Sequence, residues 1–296
     1  MPQGLYRGMD RAEIDRQLNL RARWPEHATY MARWTADSAE VRPRLDGHLD
    51  VAYGASARET LDLFLPKPGS ARPPVLVFIH GGYWQGLDKR DFSYLAPPYL
   101  QAGIAFASLN YDLAPTVTVT EIVAQIRRAI PWLARHAETY DFDGERIFVA
   151  GHSAGGHLAV MALITDWTAT EVGEEDGAAG ANPVKGACSV SGVYELEPLR
   201  QSYHQDILNL DTVTVQTMSP ARLIPERAGP LILAVGSDET EEFLRQQEEL
   251  ATAWQARGLP VRVVGLPGRH HFSAIDALGE VEHSLFVAVH KMILGA

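Results

Sequence analysis

The stretch RIFVAGHSAGGHL, residues 146–158, joins an apolar run typical of a β-strand to the beginning of a helix. Its centre, Gly151-His-Ser-Ala-Gly155, matches the pattern G-x-S-x-G. Where a strand turns at once into a helix, the middle residue of this pattern has a strained backbone conformation and an exposed side chain. The stretch therefore predicts that Ser153 is a nucleophile, and that the rest of the chain supplies a base, an acid and backbone N–H donors.

Strand-like and helix-like segments alternate on both sides of this stretch. Residues 119–138, 239–256 and 274–293 have helical character, and Pro131 is expected to kink the first helix or to begin a new turn. The alternation predicts an α/β fold in a single domain over residues 1–296: a mostly parallel sheet with right-handed crossovers and helices on both faces. Ligands bind such sheets at the carboxyl ends of the strands. The predicted strands are residues 49–53, 60–65, 75–79, 104–109, 147–150, 184–190, 231–235 and 261–264.

The composition excludes several classes of function. The chain has 296 residues, of which 46% are hydrophobic, enough to bury a large core. The net charge of −11 argues against a nucleic-acid partner, because phosphates need cations to neutralise them. The single cysteine, Cys188, excludes a disulfide framework and predicts a buried thiol. With no cysteine pair and no H-E-x-x-H motif, we expect no metal and no cofactor.

The same composition predicts a cytoplasmic protein with no membrane contact. Residues 1–10 contain no apolar leader, and no apolar run approaches the length of a membrane span. The expected partner is a small-molecule ester or amide substrate. A homodimer is compatible with the sequence.

Three regions lie outside the predicted sheet. Residues 1–45 begin with a polar, arginine-rich helical segment, which forms either an arm packed on the domain or a lid over the site. An irregular apolar face in this segment is made by Leu18, Leu20, Trp24, Tyr30, Met31 and Trp34. Residues 171–182 are acidic and rich in glycine and alanine, and they predict a surface loop. Residues 194–228 show no clear period, and we expect them to form a small, cap-like excursion above the sheet.

The strand at 75–79 is followed by His80-Gly-Gly-Tyr-Trp84, and two consecutive glycines leave backbone N–H groups unshielded. The N–H of Gly81 or Gly82, with that of Ala154, is expected to form an oxyanion hole. His80 is expected to fix the loop by a hydrogen bond.

The bulky pair Tyr83 and Trp84 follows the predicted oxyanion loop. Two interpretations remain open: these rings line a pocket for a flat substrate, or they pack beneath the loop.

The acid and the base are expected after two later strands. Asp238 lies nearest the end of the strand at 231–235 and is the predicted acid, whereas Glu239 is expected to begin the next helix. The glycine- and proline-rich loop after residue 264 ends in two histidines, of which His271 is preferred over His270 as the base. The order Ser153, Asp238, His271 is that of the α/β-hydrolases.

The sequence resembles the arylformamidase (kynurenine formamidase) branch of the α/β-hydrolase superfamily over roughly residues 45–290. The motifs that carry the resemblance are HGGYWQ at 80–85, NYDLAP at 110–115 followed by EIVAQIRRA at 121–129, GHSAG at 151–155, SGVYELEPL at 191–199 and HF at 271–272.

The resemblance implies hydrolysis of N-formyl-L-kynurenine to formate and kynurenine, with Ser153, Asp238 and His271 as the catalytic triad. Members of the branch include esterases and amidases with other substrates, so a carboxylesterase is the alternative. Asp112, Tyr203 and His204 are candidates for binding an amino-acid head group, because of their place near strand ends or in the excursion.

Overall fold

The computed structural model describes residues 4–69, 71–167 and 182–295. Most of the loop predicted at 171–182 therefore lies outside the described residues. The strands are β1 Gly47–Ala52, β2 Thr60–Phe64, β3 Val75–Ile79, β4 Ala105–Leu109, β5 Ile147–His152, β6 Val184–Val190, β7 Leu231–Gly236 and β8 Val261–Leu266. The α-helices are α1 Arg11–Leu18, α2 Leu20–Arg23, α3 His27–Val41, α4 Ala96–Gln101, α5 Val119–His136, α6 Ala154–Ile164, α7 Glu197–Arg200, α8 Gln205–Leu208, α9 Thr212–Met218, α10 Glu241–Ala256, α11 His271–Ala274 and α12 Ser284–Leu294.

The described strands form one sheet in the order β1-β2-β4-β3-β5-β6-β7-β8. β2 pairs antiparallel with β1 and with β4, and the other neighbours are parallel. All five residues of β3 are buried. Because successive side chains point to opposite faces, complete burial means that both faces of the central sheet are covered. The predicted α/β-hydrolase architecture is confirmed.

Pro131 lies inside α5, and the helix continues through it to His136. Of the two effects expected of Pro131, a kink or a new turn, the structure does not show a new turn. The strongly amphipathic α5 buries one face, and this packing offsets the hydrogen bond that proline cannot donate.

The helix predicted at 274–293 is divided. A 3₁₀ helix at Ile275–Leu278 is followed by α12 from Ser284, and Gly279 lies between them. Cys188 is buried, as predicted.

The N-terminal arm, residues 4–45, packs on the domain through ion pairs along its length. Arg7 pairs with Glu249 at 2.9 Å, Arg33 with Asp276 at 2.6 Å, and Arg42 with Asp62 at 2.7 Å. Leu18, Leu20, Trp24 and Trp34 of the arm are buried. The arm therefore forms part of the packed structure.

The excursion at 194–228 contains the short helices α7, α8 and α9 and a 3₁₀ turn at Pro220–Arg222. It is tied to the arm, because the backbone N–H of Tyr203 donates to Asp15 Oδ1 at 2.8 Å. Among the described helices, none combines the length and the apolar character needed to cross a bilayer.

Candidate active site

Ser153 occupies the sharp turn between β5 and α6, with φ 57° and ψ −121°. Its backbone N–H donates to Val190 O at 2.9 Å, which holds the turn against β6. The turn is tight because α6 crosses the end of β3: a Cβ on Gly155 would lie 1.9 Å from Ile79 O. A strained residue that surrounding contacts fix in this way is typical of functional sites.

His271 is the first residue of α11, and its Nδ1 lies 3.0 Å from Glu239 Oε2. Both side chains are almost completely buried. Because a carboxylate only accepts, Nδ1 carries the proton and Nε2 is left free to accept one. The backbone of His271 is fixed as well, since His152 Nε2 lies 2.9 Å from its carbonyl oxygen.

The predicted contact between Asp238 and His271 is not present. Asp238 is exposed at the turn after β7, and its carboxylate accepts a hydrogen bond from Ser237 Oγ at 2.9 Å. Glu239 is buried instead, because its backbone N–H bonds Gly236 O at 3.2 Å and the turn directs its side chain inward. The expectation that Glu239 begins the next helix is also wrong, since α10 begins at Glu241.

His270, the alternative base, has a different role. It is the N-cap of α11, where its side chain accepts a hydrogen bond from the backbone N–H of Phe272. Its ring stacks on Trp24 of the arm, with 5.2 Å between centroids. The structure thus brings His271, and not His270, to the carboxylate.

The predicted oxyanion loop lies directly against Ser153. A Cβ on Gly81 would be 2.9 Å from Ser153 Cβ. Gly82, Tyr83 and Trp84 all have positive φ, at 95°, 50° and 57°. Such left-handed residues cost about 1–2 kcal/mol each for non-glycine side chains, so the loop conformation must be held by its surroundings.

A buried hydrogen-bond network holds this loop. Tyr111 Oη donates to His80 O at 2.8 Å and lies 3.2 Å from Gly81 O. His80 Nε2 donates to Asn110 Oδ1 at 3.0 Å, and burial lowers the His80 pKa to about 4. The expected role of His80 in fixing the loop is therefore seen in the geometry. Within the described chain, Gly82 N–H and Ala154 N–H have no acceptor, so both are available to a ligand.

Ser153 and His271 open into one cavity of about 330 Å³ at the carboxyl ends of the strands. The arm, the oxyanion loop and the excursion all contribute to its wall. The lining residues are Asn19, Leu20, Arg21, Met31, Trp34, Gly82, Tyr83, Gln85, Gly86, Leu87, His152, Ser153, Tyr203, His204, His271 and Phe272.

The two aromatic residues after the glycines have different places. Tyr83 lines the cavity and donates from its hydroxyl to Leu18 O of the arm at 2.9 Å. Trp84 is fully buried beneath the loop, and its ring forms a T-shaped contact with that of His157, with 4.9 Å between the ring centroids. Of the two interpretations left open for this pair, Tyr83 has the first place, in the cavity wall, and Trp84 has the second, beneath the loop.

Of the three head-group candidates, two reach the cavity. Tyr203 and His204 line it, whereas Asp112 exchanges hydrogen bonds with Gln125 of α5 at 2.7–2.8 Å.

Sequence reasoning left open whether the arm covers the site, and it did not single out the arm residues that line the wall, such as Asn19, Arg21 and Met31. The irregular apolar spacing of the arm indicates a buried face without indicating what that face covers. His152 was also missed, although it stands inside the G-x-S-x-G motif. Burial and the neighbouring His271 lower the pKa of His152 well below its ordinary value.

A mostly parallel sheet with a strained serine at the strand–helix turn and a carboxylate-bound histidine in the same cavity defines a serine hydrolase of the α/β-hydrolase class. Comparison with known proteins agrees with this class. The family model BD-FAE matches residues 61–253, and the chain belongs to this family.

Two curated relatives are kynurenine formamidases. That of Danio rerio is 32% identical over 83% of this chain and 81% of its own length. That of Salmo salar is 28% identical over 97% of this chain and 98% of its own, so the alignment extends through the arm.

Solved structures show the same fold. A proposed thioesterase from Silicibacter sp. TM1040 is 30% identical, with a TM-score of 0.81 over 95% of this chain and 99% of its own. Esterase B from Lactobacillus rhamnosis, 22% identical, has a TM-score of 0.73 over 96% of this chain and 95% of its own.

Proposed function

We propose that the protein hydrolyses an aryl formamide such as N-formyl-L-kynurenine, giving formate and kynurenine, and that Ser153, His271 and Glu239 are its catalytic triad. The observation that carries the proposal is the His271–Glu239 contact of 3.0 Å at a cavity that also contains the strained Ser153. The two kynurenine formamidase relatives support the substrate class.

In the proposed reaction, His271 Nε2 accepts the proton of Ser153 Oγ as the oxygen attacks the formyl carbon. Glu239 fixes the tautomer of His271 and stabilises the imidazolium. The backbone N–H groups of Gly82 and Ala154 donate to the tetrahedral oxyanion, and one such donor is typically worth about 2.7–4 kcal/mol of barrier. The imidazolium then protonates the arylamine leaving group, and a water molecule hydrolyses the formyl-enzyme by the same steps.

The cavity suits an aromatic substrate of modest size. Its volume of about 330 Å³ is at the small end of the range for small-molecule sites, about 300–1,000 Å³. Trp34, Tyr83 and Phe272 supply aromatic walls. Aromatic side chains pack favourably against an aryl ring in offset or edge-on arrangements.

A matched kinetic comparison tests the proposal: kcat/KM for N-formyl-L-kynurenine and for a short-chain aryl ester, with wild-type protein and Ser153→Ala. We expect the formamide to have the much higher kcat/KM. We also expect Ser153→Ala to lose activity on both substrates by about 10⁶-fold in kcat, as for loss of a serine nucleophile elsewhere. Full activity in Ser153→Ala would refute the mechanism.

The second candidate function is a carboxylesterase that uses the same three residues. The solved structure at 30% identity is a proposed thioesterase, which supports cleavage of an ester-type bond, and the shared fold does not fix a substrate. Turnover of the ester alone, with no measurable formamide hydrolysis, would select it.

A further inference from the structure

We propose that Arg21 of the N-terminal arm binds a carboxylate on the substrate, so that the site selects anionic aryl amides or esters over neutral ones. The inference rests on the proposed function for the identity of the scissile bond, and on the cavity wall for the charge of the substrate.

Arg21 is the only lysine or arginine among the described residues that line the cavity, and none of the lining residues is an aspartate or a glutamate. The other basic side chains in the wall are histidines. Burial lowers the pKa of His204 to about 4, and that of His152 is lowered well below its ordinary value, so both are neutral near pH 7. Among the described residues that line the cavity, Arg21 is therefore the one with a permanent charge.

Within the described parts of the chain, Arg21 also lacks a partner, unlike most arginines of the arm. Arg7, Arg33 and Arg42 each pair with a carboxylate elsewhere in the domain. Among the described residues, no group forms a hydrogen bond or ion pair with the Arg21 guanidinium. The nearby Asp15 is already engaged by Arg11 and by the backbone N–H of Tyr203.

The backbone that carries Arg21 is held in place. Leu20 is 3% exposed, and Asn19 caps α2 by accepting from the N–H of Ala22 at 3.2 Å. Tyr83 of the oxyanion loop bonds Leu18 O, which couples this part of the arm to the loop beside Ser153. Burial raises the pKa of Tyr203 to about 12 and lowers that of His204 to about 4, and the smaller effect of the Arg21 charge on both pKa values indicates that Arg21 lies near these two wall residues.

A cation in the cavity wall would offset the repulsion between this acidic protein and an anionic substrate. The net charge of −11 repels anions at long range, so a neutral cavity would disfavour a carboxylate. A guanidinium can donate two parallel hydrogen bonds to a carboxylate, which gives orientation as well as attraction. N-formyl-L-kynurenine carries such a carboxylate, remote from the formamide, whereas formanilide carries none.

The first experiment compares Arg21→Gln with the control variant Arg23→Gln. Arg23 lies in the same helix, α2, but its guanidinium lies over the ring of Trp24 and it is not one of the residues that line the cavity. We expect Arg21→Gln to raise KM for N-formyl-L-kynurenine about 10- to 100-fold, the usual effect of losing a charge-assisted hydrogen bond, with kcat little changed. Its kcat/KM for formanilide should stay within about twofold of wild type, and Arg23→Gln should resemble wild type on both substrates. An equal loss on both substrates, or no loss, would overturn the inference.

A binding measurement separates this inference from the proposed function. Calorimetric titration of N-formyl-L-kynurenine into Ser153→Ala and into the double variant with Arg21→Gln needs no turnover. We expect the dissociation constant to rise about 10- to 100-fold in the double variant. Equal affinities, or no binding to either protein, would overturn the role of Arg21. Absence of formamide hydrolysis by wild-type protein would instead count against the proposed function.

Discussion

Glu239 reaches His271 because the turn after β7 directs alternate side chains outward and inward. Asp238 lies on the outer side and bonds Ser237, whereas Glu239 lies on the inner side, and its longer side chain spans the remaining distance to Nδ1. Sequence reasoning placed the acid within one residue of this position. It chose Asp238, whereas the carboxylate that contacts His271 is that of Glu239, because the direction of each side chain is set by the turn geometry.

The pair Glu239→Gln and Asp238→Asn tests this assignment with the same chemical change at neighbouring positions. We expect Glu239→Gln to lower kcat by about 10³–10⁴-fold, because the amide no longer holds the required tautomer or stabilises the imidazolium. Asp238→Asn should remain within about twofold of wild type, as for an exposed surface change. The measurement is steady-state hydrolysis of N-formyl-L-kynurenine, and the reverse ranking of the two variants would restore Asp238 as the acid.

The oxyanion loop depends on residues that follow β4. Tyr111 and Asn110 stand at the end of that strand and bond the backbone and side chain of His80. The parallel pairing of β3 with β4 brings the two strand ends together, with Ile79 opposite Leu109. The motif at 110–115 was noted in the sequence, but its contact with the loop depends on the strand order, which the sequence alone does not show.

Tyr111→Phe should lower kcat by roughly tenfold, because a small displacement of the Gly82 N–H weakens its bond to the oxyanion. Tyr99→Phe is the matched control: this fully buried tyrosine bonds Leu278 O at 2.8 Å, outside the cavity wall. Both variants should lose about 1 kcal/mol of unfolding free energy in urea titrations. Equal kcat values in the two variants would exclude a positioning role for Tyr111.

The apolar pattern of the N-terminal arm predicts that one face is buried, but it does not predict which surface that face covers. The apolar residues of 18–34 predict a buried face, and Leu18, Leu20 and Trp34 are buried. Whether this face forms an arm or a lid was left open, because an amphipathic pattern does not identify the surface that it covers. The structure shows the arm anchored by ion pairs and also lining the cavity through Asn19, Arg21 and Met31.

Buried neutral histidines make the stability of the whole chain depend on pH. Burial lowers the pKa of His80, His157 and His204 to about 4, and that of His152 is also strongly lowered. The unfolded chain binds protons at these residues below their ordinary value of 6.5, whereas the folded chain does not. Their contribution is thus fully present above about pH 6.5 and is lost as the pH falls towards about 4.

We expect the free energy of unfolding to fall by about 1 kcal/mol per pH unit for each such histidine, measured by urea unfolding between about pH 7 and pH 5. His157→Asn provides the control. It removes one of these groups, so the free energy of unfolding should fall less steeply with decreasing pH, by about 1 kcal/mol per pH unit. A free energy of unfolding that is flat across this range would show that the histidines are not held neutral.

The buried parallel strands of the molecule were predictable because they are continuous apolar runs, and β1 and β2 were predictable because their polar and apolar residues alternate. All eight predicted segments coincide with strands, within a few residues at the ends. The turn that carries Ser153 was also predictable, because its motif lies within a few consecutive residues. The remaining features of the site depend on contacts between distant segments, such as Tyr83 with Leu18 and His152 with His271. Such contacts leave no local pattern in the sequence.

The central claim is that one serine, Ser153, carries the hydrolysis of an aryl formamide. The most direct test is to label the protein with a fluorophosphonate, identify the modified residue by mass spectrometry, and follow N-formyl-L-kynurenine hydrolysis in the same samples. We expect one label per chain, on Ser153, with activity lost in proportion to labelling. A fully labelled protein that still hydrolyses the formamide, or a label on another residue with the same loss of activity, would contradict the account.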